Sequence, residues 1–161
     1  MTVPEGGCDC GKVRYRLTDD PIVVHCCHCR WCQRGSEASF ALNAVIEVDR
    51  VELLGDEPER IVNPSASGRG QPIYRCPDCK IAVWSHYGQM GAKAPFIRVG
   101  TLDDPDSCPP DVHIFTDSKQ PWVVLPEGAE AYEVFYSGKD VPRIYGDEGA
   151  KRWQVLKDAR I

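Results

Sequence analysis

Four of the chain's nine cysteines fall within His25-Cys26-Cys27-His28-Cys29-Arg30-Trp31-Cys32. Cys27, Cys29 and Cys32 form a C-x-C-x-x-C array, and thiolates this close suit a soft divalent metal, zinc above all. In an extended chain side chains alternate faces. Cys27 and Cys29 then share a face with His25, while Cys26 and His28 point the other way. Cys32, reached after a turn, can return to the same metal. Three protein ligands leave one position open, as in catalytic zinc. The alternative is a centre closed by His25, or by a thiolate from Cys26 or Cys108. An open three-thiolate centre favours chemistry at sulfur, because a metal-bound thiol is deprotonated and the thiolate is the nucleophile. It would also suit polarisation of a small carbonyl. Arg30, Arg34, Arg98 and Lys119 are candidate cations for an anionic substrate, although each taken alone reads as a solvated surface charge.

Two further pairs flank the array, Cys8-Asp9-Cys10 upstream and Cys76-Pro77-Asp78-Cys79 downstream. Zinc often takes one pair from each of two knuckles, giving a closed tetrahedral site whose role is structural. The other reading, free core thiols, is disfavoured by two matched short spacings. Such a site would staple the N-terminal strand to the middle of the chain, and its binding energy would add to folding.

The elements that position these groups are short strands. Val13, Tyr15 and Leu17 alternate with Lys12, Arg14 and Arg16, the period of a half-buried strand. Ile22 to His25 reads as a second strand running into the array. Arg30 to Ser36 suits a short helix or turn. Strands are expected at 39–45, 47–54, around Ile61-Val62, at 81–85, 96–100 and 112–116. Asn63 to Gly70 is a Ser/Gly-rich surface loop. Strand, C-P-x-C turn, strand around Cys76 has the pattern of a zinc-ribbon knuckle. The chain is therefore expected to be all-β. The exception is the C-terminus, where Gly149 to Arg160 predicts one short helix with Trp153, Leu156 and Lys157 at helical spacing.

With 161 residues, one domain is expected. We divide it into a zinc-binding catalytic β domain over 1–126 and a C-terminal extension over 127–161, packed on or beside it. The net charge of -5 opposes a nucleic-acid role. No apolar run approaches the roughly 20 residues of a membrane span, and the first residues, Met1 to Gly7, lack the pattern of a signal peptide. A cytoplasmic location follows as an expectation, one in which thiols stay reduced. An odd cysteine count cannot form a complete disulfide framework.

Five motifs occur in order: Gly7-Cys8-x-Cys10-Gly11-x-Val13-Arg14-Tyr15, Cys27-His28-Cys29-x-x-Cys32, Cys76-Pro77-x-Cys79, Gly100-Thr101-Leu102-Asp103-Asp104, and His113-Ile114-Phe115-Thr116-x-Ser118-Lys119-x-x-Trp122. Together they resemble the glutathione-dependent formaldehyde-activating enzyme family over about residues 6 to 126. The resemblance implies a Mss4-like fold of twisted sheets with two zinc ions. It implies a structural zinc on Cys8, Cys10, Cys76 and Cys79, and a catalytic zinc on Cys27, Cys29 and Cys32. The implied activity is a carbon-sulfur lyase joining formaldehyde to glutathione. The substrates would be a small-molecule thiol and an aldehyde, with no nucleic acid and no membrane. Related Mss4-like proteins act as binding or chaperone factors, which gives the competing, non-enzymatic reading. Cys26 and the long tail depart from the family pattern, and the tail could cover the site or make a homo-oligomer contact.

Of the remaining residues, Trp84, Phe115 and Trp122 are expected in the core, as is Phe40, with a pocket wall as its other role. His113 is either a proton-transfer group or a hydrogen-bonded structural histidine. Cys108 is expected to be a free thiol, and Asp103 and Asp104 to form a turn.

Overall fold

The computed structural model describes residues 3–159. Ten strands form two sheets. The smaller is antiparallel and joins β1 (Glu5–Gly7), β2 (Arg14–Leu17) and β5 (Val51–Leu53) in the order β1-β2-β5. The larger contains β3 (Val23–Cys27), β4 (Ala41–Val45), β6 (Glu59–Asn63), β7 (Gln71–Arg75), β8 (Ala82–Ser85), β9 (Phe96–Arg98) and β10 (Val112–Ile114). Its order is β10-β3-β4-β9-β8-β7-β6, antiparallel throughout except for the parallel pair β10–β3. That parallel pair sets His113 beside Cys26 and Ile114 beside Cys27.

The alternation in β2 has the expected consequence. Val13, Tyr15 and Leu17 are fully buried, while Arg14 and Arg16 face outward to Asp103, Glu5 and Glu52. Tyr15 meets Trp84 edge to face at 5.8 Å, and its hydroxyl bonds Thr101 Oγ1 at 2.7 Å. Strand β3 shows no alternation because all five of its residues are buried. A sheet strand covered on both faces loses the period-two signal. It also runs two residues past the expected end at His25, through Cys26 and Cys27. The stretch expected as one strand over 47–54 instead begins with a 3₁₀ turn, Val48–Arg50, before β5.

The terminal helix is longer than expected. Helix α2 covers Val141–Asp158, eight residues ahead of the predicted start. Pro142 stands in its first turn, where a missing N–H costs nothing. Gly146 breaks it with φ 67°, a left-handed value suited to glycine. Proline and glycine disguised the first segment as a loop. The predicted last residue, Arg160, lies outside the described residues.

A buried ion pair holds α2 to the segment that follows β4. Arg152 grips Glu47 through two bonds of 2.8 and 2.5 Å, with side chains only 9% and 10% exposed. Arg152 also donates to Asp20 O, and Arg50 lies 3.6 Å from Glu47. Burial works to raise the Glu47 carboxyl, but the Arg152 bonds prevail and hold it below its ordinary value. A carboxylate depressed in the folded state contributes stability above its unfolded value, and that contribution is lost as pH falls through the folded value. Removing one partner of a buried pair leaves the other charge uncompensated. Glu47→Gln is therefore expected to destabilise the protein by about 3 kcal/mol at pH 7. The gap from native should close as acid protonates Glu47. Urea unfolding at pH 7 and in acid measures both arms.

Candidate functional site

Two thiol clusters stand at different places in the fold. In the first, the side-chain sulfurs of Cys8, Cys10, Cys76 and Cys79 lie within 4.8 Å of one another. Cys10 Sγ is 3.5 Å from Cys8 Sγ and 3.6 Å from Cys76 Sγ. A tetrahedron with Zn–S of about 2.3 Å has edges of about 3.8 Å, so this donor set fits a four-thiolate metal site. Each pair sits in the same kind of turn. Cys8 N–H bonds Val13 O, and Cys76 N–H bonds Ile81 O, both five residues on. Gly11 and Lys80 take left-handed conformations in these turns, at φ 79° and 65°. Val13 N–H also donates to Cys8 Sγ at 3.3 Å. Although burial raises the Cys8 thiol, that donor and the neighbouring thiols bring it below its ordinary value. Backbone donors from Ile81 and Cys10 draw Cys79 down to about 6. Lys12 and Asp78, one from each turn, pair at 2.5 Å. The likeness of the two turns is invisible in their sequences.

In the second cluster, β3 ends on Cys27, Cys29 caps helix α1 (Arg30–Ser36), and Cys32 lies in that helix's first turn. Cys32 N–H donates to Cys29 Sγ at 3.3 Å, and all three sulfurs lie within 4.8 Å. The strand-to-helix step is pinned by His28 N–H to Ile114 O and by the buried Gln33 amide, which reaches His28 O and Ser118 O at 2.7 and 2.9 Å. Hydrogen bonds from Cys27 and Cys32 pull Cys29 down to about 2. The same bonding pushes Cys27 far up. Cys32 is drawn down by Cys27, but Cys29 and burial outweigh this and leave it at about 11. Three sulfurs held within 4.8 Å of one another form a donor set that a divalent cation can fill.

The groups that could have closed this centre are engaged elsewhere. His25 Nε2 bonds Tyr136 Oη at 2.7 Å, and Tyr136 Oη bonds Tyr145 Oη at 2.5 Å. Burial brings His25 down to about 4, so it is neutral. Cys26 faces the other side of the strand, 3.5 Å from His28 Nε2, which is 3.0 Å from His113 Nδ1. Cys26, His28 and His113 form a third group with ligand-type atoms close together. Burial keeps both imidazoles below their ordinary values. Alternation already placed Cys26 and His28 on this face, and the parallel pairing of β10 adds His113. Cys108 is a buried free thiol outside all three groups, raised to about 11 by burial.

Of the four candidate cations, Arg98 alone stands by the array. It is half-buried, donates to Asn43 Oδ1, and feels the charges of Cys32 and Cys27. Burial lowers its guanidinium. Arg30 and Arg34 line a separate shallow hollow with Gln33, Gln120 and Trp122. Lys119 is bound to the carbonyls of Gln120 and Val123. Trp122, expected in the core, is 71% exposed because it stands in the loop after β10. Phe115 lines the array's cavity, Trp84 packs on the core, and Phe40 lies against His28 at 5.4 Å. Asp103 takes a two-pronged ion pair with Arg14.

The three-thiol cluster opens into a cavity of about 600 Å³. Its walls include Trp31, Phe96, Phe115, Phe135, Tyr145 and Trp153. The last three come from the C-terminal segment, and sequence patterning had suggested none of them as site residues. Only Trp153, at helical spacing with Leu156, gave any sign of packing inward.

This is a β protein with one four-cysteine cluster in paired turns and one three-cysteine cluster lining a cavity, and each cluster could hold a metal ion. The chain belongs to the glutathione-dependent formaldehyde-activating enzyme family, whose model matches residues 3–118. A Halomonas elongata protein, named "Putative glutathione-dependent formaldehyde-activating enzyme", is 27% identical over 157 residues, covering 94% of each chain. A crystal structure of a Rhodobacter sphaeroides protein covers 62% of this chain and 87% of its own, at 17% identity and a TM-score of 0.47. No described helix is long and apolar enough to cross a membrane.

Proposed function

We propose that this chain catalyses reversible formation of a carbon-sulfur bond between a thiol and a small aldehyde. The family name and the Halomonas relative's name supply glutathione and formaldehyde as the reference pair. In this reading Cys27, Cys29 and Cys32 hold a catalytic zinc, and Cys8, Cys10, Cys76 and Cys79 hold a structural one. The observation that carries it is the three-thiol group lining a cavity, with His25 committed to Tyr136. When bound there, zinc supplies a Lewis acid that keeps a substrate thiol in its thiolate form.

The chain's own residues supply the rest. Arg98, close enough to feel Cys32 and Cys27, offsets the surplus negative charge of three thiolates. The aromatic walls limit water near the reacting atoms, which strengthens every charge interaction there. Gln33 and the Ile114 carbonyl fix the turn, so the sulfurs keep their spacing. Sulfur attacks the carbonyl carbon, the C=O electron pair moves to oxygen, and oxygen takes a proton from solvent. The reverse step returns thiol and aldehyde. A purely structural or chaperone role gives no reason for the three thiols to line a cavity. All nine cysteines are free, which suits a reducing, cytoplasmic setting.

Cadmium-113 in place of zinc tests this reading. The loaded protein is expected to give two resonances, and adding 2-mercaptoethanol should move one of them. Two resonances that both ignore the thiol would mean two closed sites and overturn the proposal.

A further inference from the structure

Beyond the reaction type lies the identity of the thiol, and the cavity wall bears on it. The thiol clusters and the family match lie within residues 3–118, but part of the wall does not. Phe135, Tyr145, Trp153 and Lys157 all line the cavity from the C-terminal segment. Phe135 stacks on Tyr136 at 4.3 Å and meets the edge of His25 at 5.7 Å. Trp153 meets Tyr145 edge to face at 5.6 Å. The tail thus adds aromatic rings to the cavity that the array lines. Phe96, Phe115 and Trp31 line the same cavity, with Phe115 6.3 Å from Phe135.

Charge is scarce on this wall. Apart from the thiols and His25, Lys93 and Lys157 are its only ionisable lining residues other than tyrosine, among those described. The Lys93 ammonium is already bonded to Leu156 O at 2.8 Å and Ala159 O at 3.0 Å. His25 Nε2 is bonded to Tyr136 Oη at 2.7 Å. The other polar lining groups, such as Asn43, Gln71 and Gln89, are neutral. Glutathione brings two carboxylates and an ammonium; no carboxylate among the described lining residues faces the ammonium, and the two cations are Lys93, held by backbone carbonyls, and the exposed Lys157, so most of that charge would enter without a buried partner, which is costly. An aromatic or alkyl thiol brings none of these, and its body gains from every ring it touches.

We propose that the thiol substrate carries an uncharged apolar body, aryl or alkyl, and that the C-terminal segment selects it through Phe135 and Trp153. This rests on the carbon-sulfur reading of the same centre. The chemistry is unchanged: the apolar thiolate adds to the aldehyde carbon, a C–S bond forms, and the carbonyl oxygen takes the proton.

The test compares two stable thioethers that mimic the two adducts, 2-phenylethyl methyl sulfide and S-methylglutathione. Binding to the zinc-loaded protein is read by calorimetry. The phenyl compound is expected to bind at least ten-fold more tightly. In Phe135→Ala and Trp153→Ala that preference should fall several-fold toward unity. Phe135 is half exposed, so its variant should fold, and thermal melting checks this. Equal or tighter binding of S-methylglutathione, a preference untouched by both variants, or no binding of the phenyl compound overturns the inference. The carbon-sulfur reading fails on a separate result, namely no catalysed exchange between 2-mercaptoethanol and formaldehyde.

Discussion

Cys76→Ser is expected to abolish cooperative folding. Cys76 is fully buried, and its sulfur joins the turn after β1 to the turn between β7 and β8. Around it lie Val13, Tyr15, Val83 and Ile97, the core that joins the two sheets. A structural zinc contributes an apparent 10–16 kcal/mol in small metal domains, roughly the whole stability of an ordinary domain, about 5–15 kcal/mol. Loss of one of four ligands removes most of that contribution and leaves three thiols crowded without a cation. Calorimetry should show no sharp transition for the variant, and metal analysis should show one equivalent fewer than native. A cooperative melt within a few degrees of native, with unchanged metal content, would mean that the four cysteines are not a structural metal site.

How much of this was legible depends on where the physical signal lay. The β2 alternation was readable because one face is buried and the other carries arginines. The two cysteine pairs were readable as candidate ligands because ligand spacing is local, and the fold does bring them together. Helix α1 emerged from the same stretch, its cap supplied by Cys29. β1 escaped notice since two of its three residues are glycines, which carry no pattern. Helix α2 was half seen, because Pro142 and Gly146 mimic loop signals.

For the site, alternation within the array sorted Cys27 from Cys26 before any contact was known. It also put His25 on the face shared by Cys27 and Cys29, and His25 does line the same cavity. What sequence left open was whether His25 closes the centre. The answer depends on Tyr136, 111 residues away, and no local pattern encodes that bond. The same holds for His113 with Cys26 and for the tail aromatics, which depend on how distant segments pack. Trp122 misled for the opposite reason. An aromatic side chain is a strong prior for burial, but a loop beyond the sheet edge gave it nothing to pack against.

The second large effect is expected at Cys32. Its side chain is only partly buried, and it stands in the first turn of α1, away from the core around Cys76. Serine keeps the backbone donor to Cys29, so the fold should survive, in contrast to Cys76→Ser. Outer-sphere partners of a metal typically cost about 10–100-fold in activity when removed. Loss of a direct ligand should cost at least the upper end of that range. Exchange of carbon-13 formaldehyde with 2-mercaptoethanol, followed by NMR in native protein and in Cys32→Ser, is the most direct measurement of the account. It predicts catalysed exchange in the native protein and a fall of about 100-fold or more in the variant, with thermal melting preserved. Equal exchange in the two proteins would contradict the assignment of carbon-sulfur chemistry to the Cys27, Cys29 and Cys32 centre.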